Sequence, residues 1–184
     1  DAGHEEGIRS IVVSNGYIQD EALRIAYGKM DAVKIDLKSF TDSYYQKIVT
    51  GELKPVLDAL VTLRKMGKWT EIVYLVVPTL NDSDQEFRGL ASWIKTNLGA
   101  EIPLHFTQFH PDYLLKNLPI TPIPTLERAK AIADAEGLHF VYIGNVPGNP
   151  AENTYCPQCR GMLVERAGFE IPRMRIHKNA WPFC

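Results

Sequence analysis

The 184-residue sequence has no concentration of positive charge and no long apolar run. Its 20 Lys and Arg residues are outnumbered by 22 Asp and Glu residues, and no basic stretch is interleaved with aromatic side chains. Nucleic-acid-binding proteins normally present a basic face that neutralises phosphates. The longest apolar stretches, such as residues 72–77, have the length of a strand and are too short to span a bilayer. We therefore expect neither nucleic-acid binding nor membrane insertion.

Cysteine is also scarce, with three residues in the sequence. A small and odd number of cysteines does not suit a secreted domain that is held together by disulfides. The first residues also lack the charged and then apolar pattern of a secretory leader. We expect a reducing, cytoplasmic setting.

Short β-branched and aromatic runs alternate with amphipathic helical patterns over the first 143 residues. Strands are predicted at residues 11–13, 32–37, 72–77, 104–109 and 139–143. Helical patterns cover residues 56–66, the segment that follows Ser83, and the segment between Pro124 and Gly137. The Ser83-x-x-Glu86 spacing is typical of a capping box. Such alternation predicts an α/β fold with a parallel sheet.

The character of the sequence changes near residue 150. Residues 144–150 are rich in Gly, Asn and Pro, and residues 151–184 carry all three cysteines. We expect an α/β unit over residues 1–150 and a separate tail over residues 151–184. Because residues 1–10 resemble the end of a helix that leads into a strand, we also expect the α/β unit to be the C-terminal part of a larger one.

Polar residues follow four of the predicted strands. The segments are Ser14-Asn15-Gly16, Asp36-Leu37-Lys38, residues 78–82, and His110-Pro111. Taken singly, each has an ordinary explanation: a turn, a solvated charge, a helix start at Asn81 and Asp82, or a packed loop histidine. Ligands of parallel α/β proteins gather at the carboxyl ends of the strands, so the shared position predicts a common ligand site.

Five longer segments carry a family resemblance. They are VVSNGY at 12–17, DAVKIDLK at 31–38, YLVVPTLND at 74–82, PLHFTQFHPDY at 103–113 and YIGNVPG at 142–148. With these segments the sequence resembles the radical S-adenosylmethionine (SAM) enzymes of the pyruvate formate-lyase activating enzyme group. It is most similar to the branch called the AmmeMemoRadiSam system radical SAM enzyme.

The resemblance implies a partial (β/α) barrel of six parallel strands, of which this sequence would supply about four. It also implies an enzyme that cleaves SAM to a 5′-deoxyadenosyl radical, for hydrogen abstraction from a substrate or for activation of a substrate that could itself be a protein. By position, the SAM-binding residues would be Ser14, Asn15, Asp36, Lys38 and His110. Backbone groups around residues 76–78 would add further SAM contacts.

The sequence departs from the family in one major respect. It lacks the Cys-x3-Cys-x2-Cys motif that holds the 4Fe–4S cluster, and it lacks the Gly-Gly-Glu-type strand end that grips the SAM amino group. We expect both to lie outside residues 1–184, so this chain alone would be inactive. The family name suggests an association with Memo-like or Ammecr-type proteins as partners.

The tail carries a second chemical signal. Cys156 and Cys159 have the two-residue separation of a zinc or rubredoxin-like iron knuckle, and Cys184 could supply a third thiolate. In related enzymes the tail reads as a ribbon with a second such pair, so we expect a small zinc-ribbon-like tail. Two alternatives remain for these residues. Cys156 and Cys159 could form a redox pair, or His177 could be one of the metal ligands.

Two other functions compete with the radical SAM hypothesis. Lys38 could be the Schiff-base nucleophile of an aldolase-like barrel, which requires a neutral amine. Alternatively, the protein could be a non-catalytic zinc-ribbon scaffold that binds a partner protein.

Overall fold

The computed structural model describes residues 2–176 of the chain. Within that range, five parallel strands form one sheet in the order β1-β2-β3-β4-β5. They are β1 (Ile11–Ser14), β2 (Ala32–Asp36), β3 (Trp69–Val76), β4 (Leu104–Gln108) and β5 (Val141–Gly144). The predicted α/β class with parallel strands is confirmed. The sheet has five strands, one more than the resemblance implied.

Helices connect the strands. They are α1 (Ala2–Glu5), α2 (Asp20–Tyr27), α3 (Asp42–Tyr44), α4 (Leu53–Lys65), α5 (Asp84–Asn97) and α6 (Ile123–Ala135). A π-helical turn (Tyr45–Val49) follows α3 directly. At the start of α5 the Ser83 hydroxyl accepts a hydrogen bond from the Glu86 N–H at 3.2 Å, as the capping-box spacing predicts.

The two faces of the sheet differ in composition. One face contributes the fully buried core residues, which pack with α2, α4, α5 and α6; they include Ile35, Ile72, Tyr74, Phe106 and Ile143. Because side chains alternate along a strand, the intervening residues lie on the other face, which we call the open face. Its residues are only partly buried and include Asp36, Glu71, His105 and Tyr142.

The tail forms a second, smaller sheet. After a 3₁₀ turn (Pro150–Glu152), three antiparallel strands follow in the order β6-β7-β8. They are β6 (Thr154–Tyr155), β7 (Met162–Ala167) and β8 (Glu170–Met174). Cys156, Leu163 and Val164 form a small apolar cluster in this sheet.

No helix among residues 2–176 is long and apolar enough to cross a membrane.

Candidate functional site

An ion pair lies at the carboxyl end of β2. The Lys38 Nζ atom lies 3.3 Å from the Asp36 Oδ2 atom, and both side chains are about one-third exposed, at 37% and 31%. Alternation along the strand and its extension places both residues on the open face, because the intervening Leu37 is fully buried. A Schiff-base nucleophile is a neutral amine, whereas Lys38 lies here in an ion pair with a carboxylate, so this geometry does not favour the Schiff-base alternative.

The backbone of Lys38 is fixed from two sides. Its N–H donates to the Tyr45 hydroxyl at 3.2 Å, and its carbonyl accepts from the Asn81 Nδ2 atom at 2.9 Å. Burial raises the pKa of Tyr45 to about 12, so its phenol is neutral at physiological pH and accepts this bond. The loop after β2 is therefore positioned by the π-helical turn and by the loop after β3.

Asn81 connects the ends of two neighbouring strands. It is 1% exposed, its Oδ1 atom accepts from the Val77 N–H at 2.6 Å, and its Nδ2 atom also donates to the Leu75 carbonyl at 2.9 Å. The sequence suggested that Asn81 begins a helix, but α5 is capped two residues later by Ser83. Asn81 instead stabilises the turn after β3 and holds it against Lys38.

Glu86 is a second buried connection between these loops. Its Oε1 atom accepts hydrogen bonds from the Ser39 hydroxyl, from the Phe40 N–H at 2.7 Å and from the Tyr74 hydroxyl at 2.6 Å. Burial and then the charge of Glu86 raise the pKa of Tyr74, which keeps its phenol protonated as a donor. In a capping box the Glu86 side chain would return to its own N-cap, but here it anchors the loop after β2.

Thr121 holds the ends of β3 and β4 together. Its buried hydroxyl donates to the Val76 carbonyl at 2.5 Å and accepts from the Phe109 N–H at 2.9 Å. The backbone groups expected to contact SAM near residues 76–78 thus already have internal partners: Thr121 at the Val76 carbonyl and Asn81 at the Val77 N–H. Nothing in the sequence around Thr121 distinguishes it from an ordinary loop threonine.

The turn after β1 satisfies its own polar groups. The Ser14 hydroxyl accepts from the Tyr27 hydroxyl at 2.8 Å and from the Gly16 N–H at 3.1 Å. Ser14 is paired with the buried Ile35, so it lies on the helix-packed face of the sheet. The Asn15 Oδ1 atom accepts from the Tyr17 N–H at 3.0 Å, which is a local turn.

The five predicted SAM-binding residues therefore share one end of the sheet but are not all joined. Asp36 and Lys38 contact each other, whereas no hydrogen bond within residues 2–176 connects Ser14, Asn15 or His110 to that pair. His110 is exposed in the loop after β4. The structure brings together one cation, Lys38, and one carboxylate, Asp36, at the carboxyl end of the parallel sheet. We call this end of the sheet, with the loops that follow its strands, the rim.

The described residues do not provide a cluster site. Across residues 2–176 no group of three or more His, Cys, Asp or Glu side chains is arranged to hold a metal ion. Cys156 is buried at 7% exposure, and a tight turn follows it, with Arg160 in the left-handed region and its N–H donating to the Cys156 carbonyl at 2.9 Å. Cys184 and His177 lie outside the described residues, so the tail metal site stays a prediction.

Comparison with known sequences places a family signature over the first half of the chain. Residues 2–91 match the Radical SAM superfamily. The chain is also 44% identical over 162 residues to the uncharacterized protein MJ0808 of Methanocaldococcus jannaschii, a match that covers 88% of this chain and 48% of that protein. The chain therefore spans about half the length of this curated relative.

Solved structures share the fold. A domain of pyruvate-formate lyase-activating enzyme from Bacteroides vulgatus superposes with a TM-score of 0.67 at 14% identity, covering 77% of this chain and 84% of that one. A radical SAM methyltransferase from Sphaerobacter thermophilus gives a TM-score of 0.58 at 14% identity, covering 75% and 41%. At this identity the likeness concerns the fold alone. The family signature rests on the match of residues 2–91.

Proposed function

We propose that this chain is the part of a radical SAM enzyme that carries the rim of the SAM site after β1, β2 and β4. The observation that carries the proposal is the match of residues 2–91 with the Radical SAM superfamily, because the Asp36–Lys38 pair lies inside that match. The 44% identical relative has no stated activity. It therefore shows that the two sequences are similar but gives no support for a particular reaction.

The proposed site residues fit the charges of SAM. Its methionyl carboxylate would accept a charge-assisted hydrogen bond from Lys38, and Asp36 would balance the ammonium and sulfonium charges. His110, and the turn formed by Ser14 and Asn15, complete the proposed contacts at the same end of the sheet. Ser14 would act through its backbone or by donating its hydroxyl hydrogen, since its hydroxyl oxygen already accepts from Tyr27 and Gly16.

In this proposal the reaction would depend on a 4Fe–4S cluster, which would supply the electron for SAM cleavage. The described residues do not fit such a cluster, so in this proposal its ligands come from outside residues 1–184. A cytoplasmic, reducing setting suits cluster thiolates. We also propose that Cys156, Cys159 and Cys184 bind zinc. The proposal further includes a substrate that is itself a protein and Memo-like or Ammecr-type partners.

The test is SAM binding and cleavage by the full-length protein that contains this chain, reconstituted and reduced without oxygen. Lys38→Met and Asp36→Asn should each weaken SAM binding by about tenfold or more, because each removes a charge-assisted contact. Lys54→Met is the matched control, since Lys54 is exposed on α4 and pairs with Asp58. Metal analysis of the same preparation should show zinc in addition to iron.

Wild-type protein that holds a cluster but forms no 5′-deoxyadenosine would overturn the enzymatic proposal. If Lys54→Met and Lys38→Met reduced SAM cleavage equally, the role assigned to Lys38 in binding SAM would be wrong.

A further inference from the structure

A cavity lies between the open face of the parallel sheet and the antiparallel sheet of the tail. Its volume is about 510 Å³, within the usual range for a small-molecule site. Its polar lining comes from Glu71, His105 and Tyr142 on one sheet and from Glu152, Thr154 and Arg166 in the tail. Apolar side chains of β7 and β8 complete the wall. This cavity is separate from the Asp36–Lys38 pair.

Glu71 is an ionised carboxylate with a hydrogen-bond donor at each oxygen. Its Oε2 atom lies 3.0 Å from the His105 Nε2 atom, and its Oε1 atom accepts from the Trp69 Nε1 atom at 3.1 Å. The hydrogen bond from His105 is the main cause that lowers the pKa of Glu71. Glu71 therefore contributes negative charge to the cavity, and each of its oxygens already has one donor.

The wall beside Glu71 is a stack of flat groups. The His105 and Tyr142 rings are stacked, with centroids 4.8 Å apart and planes at 20°. The guanidinium of Arg166 lies over the Tyr142 ring, 5.6 Å from its centroid. An Arg166 Nη1 atom donates to the Thr154 hydroxyl at 2.8 Å and to the Glu152 carbonyl at 2.9 Å. The guanidinium is thus held in the wall by contacts within the chain.

Glu152 is the group whose hydrogen bonding is incomplete. Its Oε2 atom is buried and, within the part of the chain that the structure describes, has no hydrogen-bond donor. A buried carboxylate oxygen without a donor is costly. Within residues 2–176, the charged side chains of the lining are two carboxylates, Glu71 and Glu152, and one guanidinium, Arg166. Carboxylates therefore outnumber the guanidinium among these residues, and the Glu152 carboxylate carries an oxygen that lacks a donor within residues 2–176.

We propose that this cavity binds a small organic amine. Its aromatic or apolar body would lie against the His105–Tyr142 stack and the apolar wall of the tail, and its ammonium group would donate to the Glu152 carboxylate. The site goes beyond the SAM site proposed above and does not depend on it. In register, Asp36 is paired with Val73 and Val73 with His105, so the cavity begins roughly 10 Å from the rim along the sheet.

Three probes of similar size test the charge preference. They are 2-phenylethylamine, 2-phenylethanol and phenylacetate, measured by titration calorimetry against the full-length protein without SAM. The amine should bind at least about tenfold more tightly than the alcohol, because only the amine makes a charge-assisted bond. Equal binding of the three probes, tighter binding of phenylacetate, or no binding of the amine would overturn the proposal.

Variants of the tail locate the binding. Glu152→Gln should reduce the affinity for the amine to about that for the alcohol, whereas Glu170→Gln should leave it unchanged. Glu170 is an exposed acid on β8 that does not line the cavity, so the control makes the same charge change.

A third variant keeps the test sound if Glu152→Gln proves unstable. Ile171 lines the cavity but is 54% exposed, so Ile171→Trp can narrow the cavity without disturbing a core. It should weaken the binding of all probes together. Unchanged amine binding in Ile171→Trp or in a folded Glu152→Gln would contradict this location.

Discussion

At the residue scale, the rim depends on buried polar side chains that hold the loops in place. Asn81, Glu86 and Thr121 are each 7% exposed or less, and each bonds to backbone or side-chain groups of a neighbouring loop. The charged pair of Asp36 and Lys38 is about one-third exposed, so its geometry is set by these partners rather than by its own packing. A buried amide or carboxylate with its partners in place is a rigid support.

Asn81→Ala tests this support. The change removes three hydrogen bonds and leaves the buried Val77 N–H without an acceptor, so it should lower the free energy of unfolding by about 2–4 kcal/mol. Urea denaturation measures the loss. Asn97→Ala is the matched control, because Asn97 is exposed and makes one bond to the Trp93 carbonyl. Equal losses in the two variants would show that Asn81 is not a support.

The pair of Glu71 and His105 makes stability depend on pH. Because the folded-state pKa of Glu71 is lowered, its contribution is present above the unfolded value of about 4.3 and is lost as the pH falls through the folded value. Glu71 is about one-third exposed, at 36%, so the contribution should be about 1 kcal/mol or less. Wild type should therefore exceed Glu71→Gln in unfolding free energy at pH 7, and the difference should shrink below pH 4.

Glu127→Gln serves as the control for that measurement, since Glu127 is exposed on α6. A Glu71 difference that grows on acidification would contradict the assignment.

At the scale of elements, the turn after β1 requires glycine for two reasons. Gly16 has a φ of +71°, and an added Cβ would lie 2.9 Å from the Ile35 Cγ2 atom and 3.0 Å from the Val56 Cγ1 atom. Gly7 has a nearly equal φ of +74° but nothing within 4 Å of an added Cβ. Comparing substitutions at Gly7 and Gly16 therefore separates the cost of backbone strain from the cost of steric overlap.

Gly7→Ala should cost about 1–2 kcal/mol, the penalty of a left-handed residue that carries a Cβ. Gly16→Ala should cost about 2–4 kcal/mol, because crowding of the core is added to that penalty. The midpoints of urea denaturation compare the two variants directly. Indistinguishable midpoints would mean that Ile35 and Val56 move aside freely.

Element prediction from the sequence succeeded where a pattern is long and regular. The apolar runs at β2, β3 and β4 and the stripes of α4, α5 and α6 were located to within a few residues. It missed α2, whose N-cap Gln19 makes no side-chain capping bond, and the π-helical turn, whose wider hydrogen bonding has no signature in the sequence. These two elements supply Tyr27 and Tyr45, which bond to the rim.

At the scale of the whole molecule, the sequence predicted a rim but not the cavity. Residues that follow successive parallel strands meet at one edge by topology alone, so the Asp36–Lys38 pair could be placed without coordinates. The cavity combines side chains from β3, β4, β5, the 3₁₀ turn and β7. No motif joins positions so far apart, because their meeting depends on how the tail packs against the open face.

The pairing of Phe109 with Thr121 has a consequence for how this architecture can vary. The N–H of Thr121 donates to the Phe109 carbonyl at 3.1 Å, and the Thr121 hydroxyl accepts from the Phe109 N–H. These two hydrogen bonds close residues 110–120 into a loop whose two ends meet just after β4. For a segment closed at its base, doubling the length costs only about 0.6 kcal/mol in entropy. We therefore expect related proteins to differ in the length and sequence of this loop while keeping the same parallel sheet.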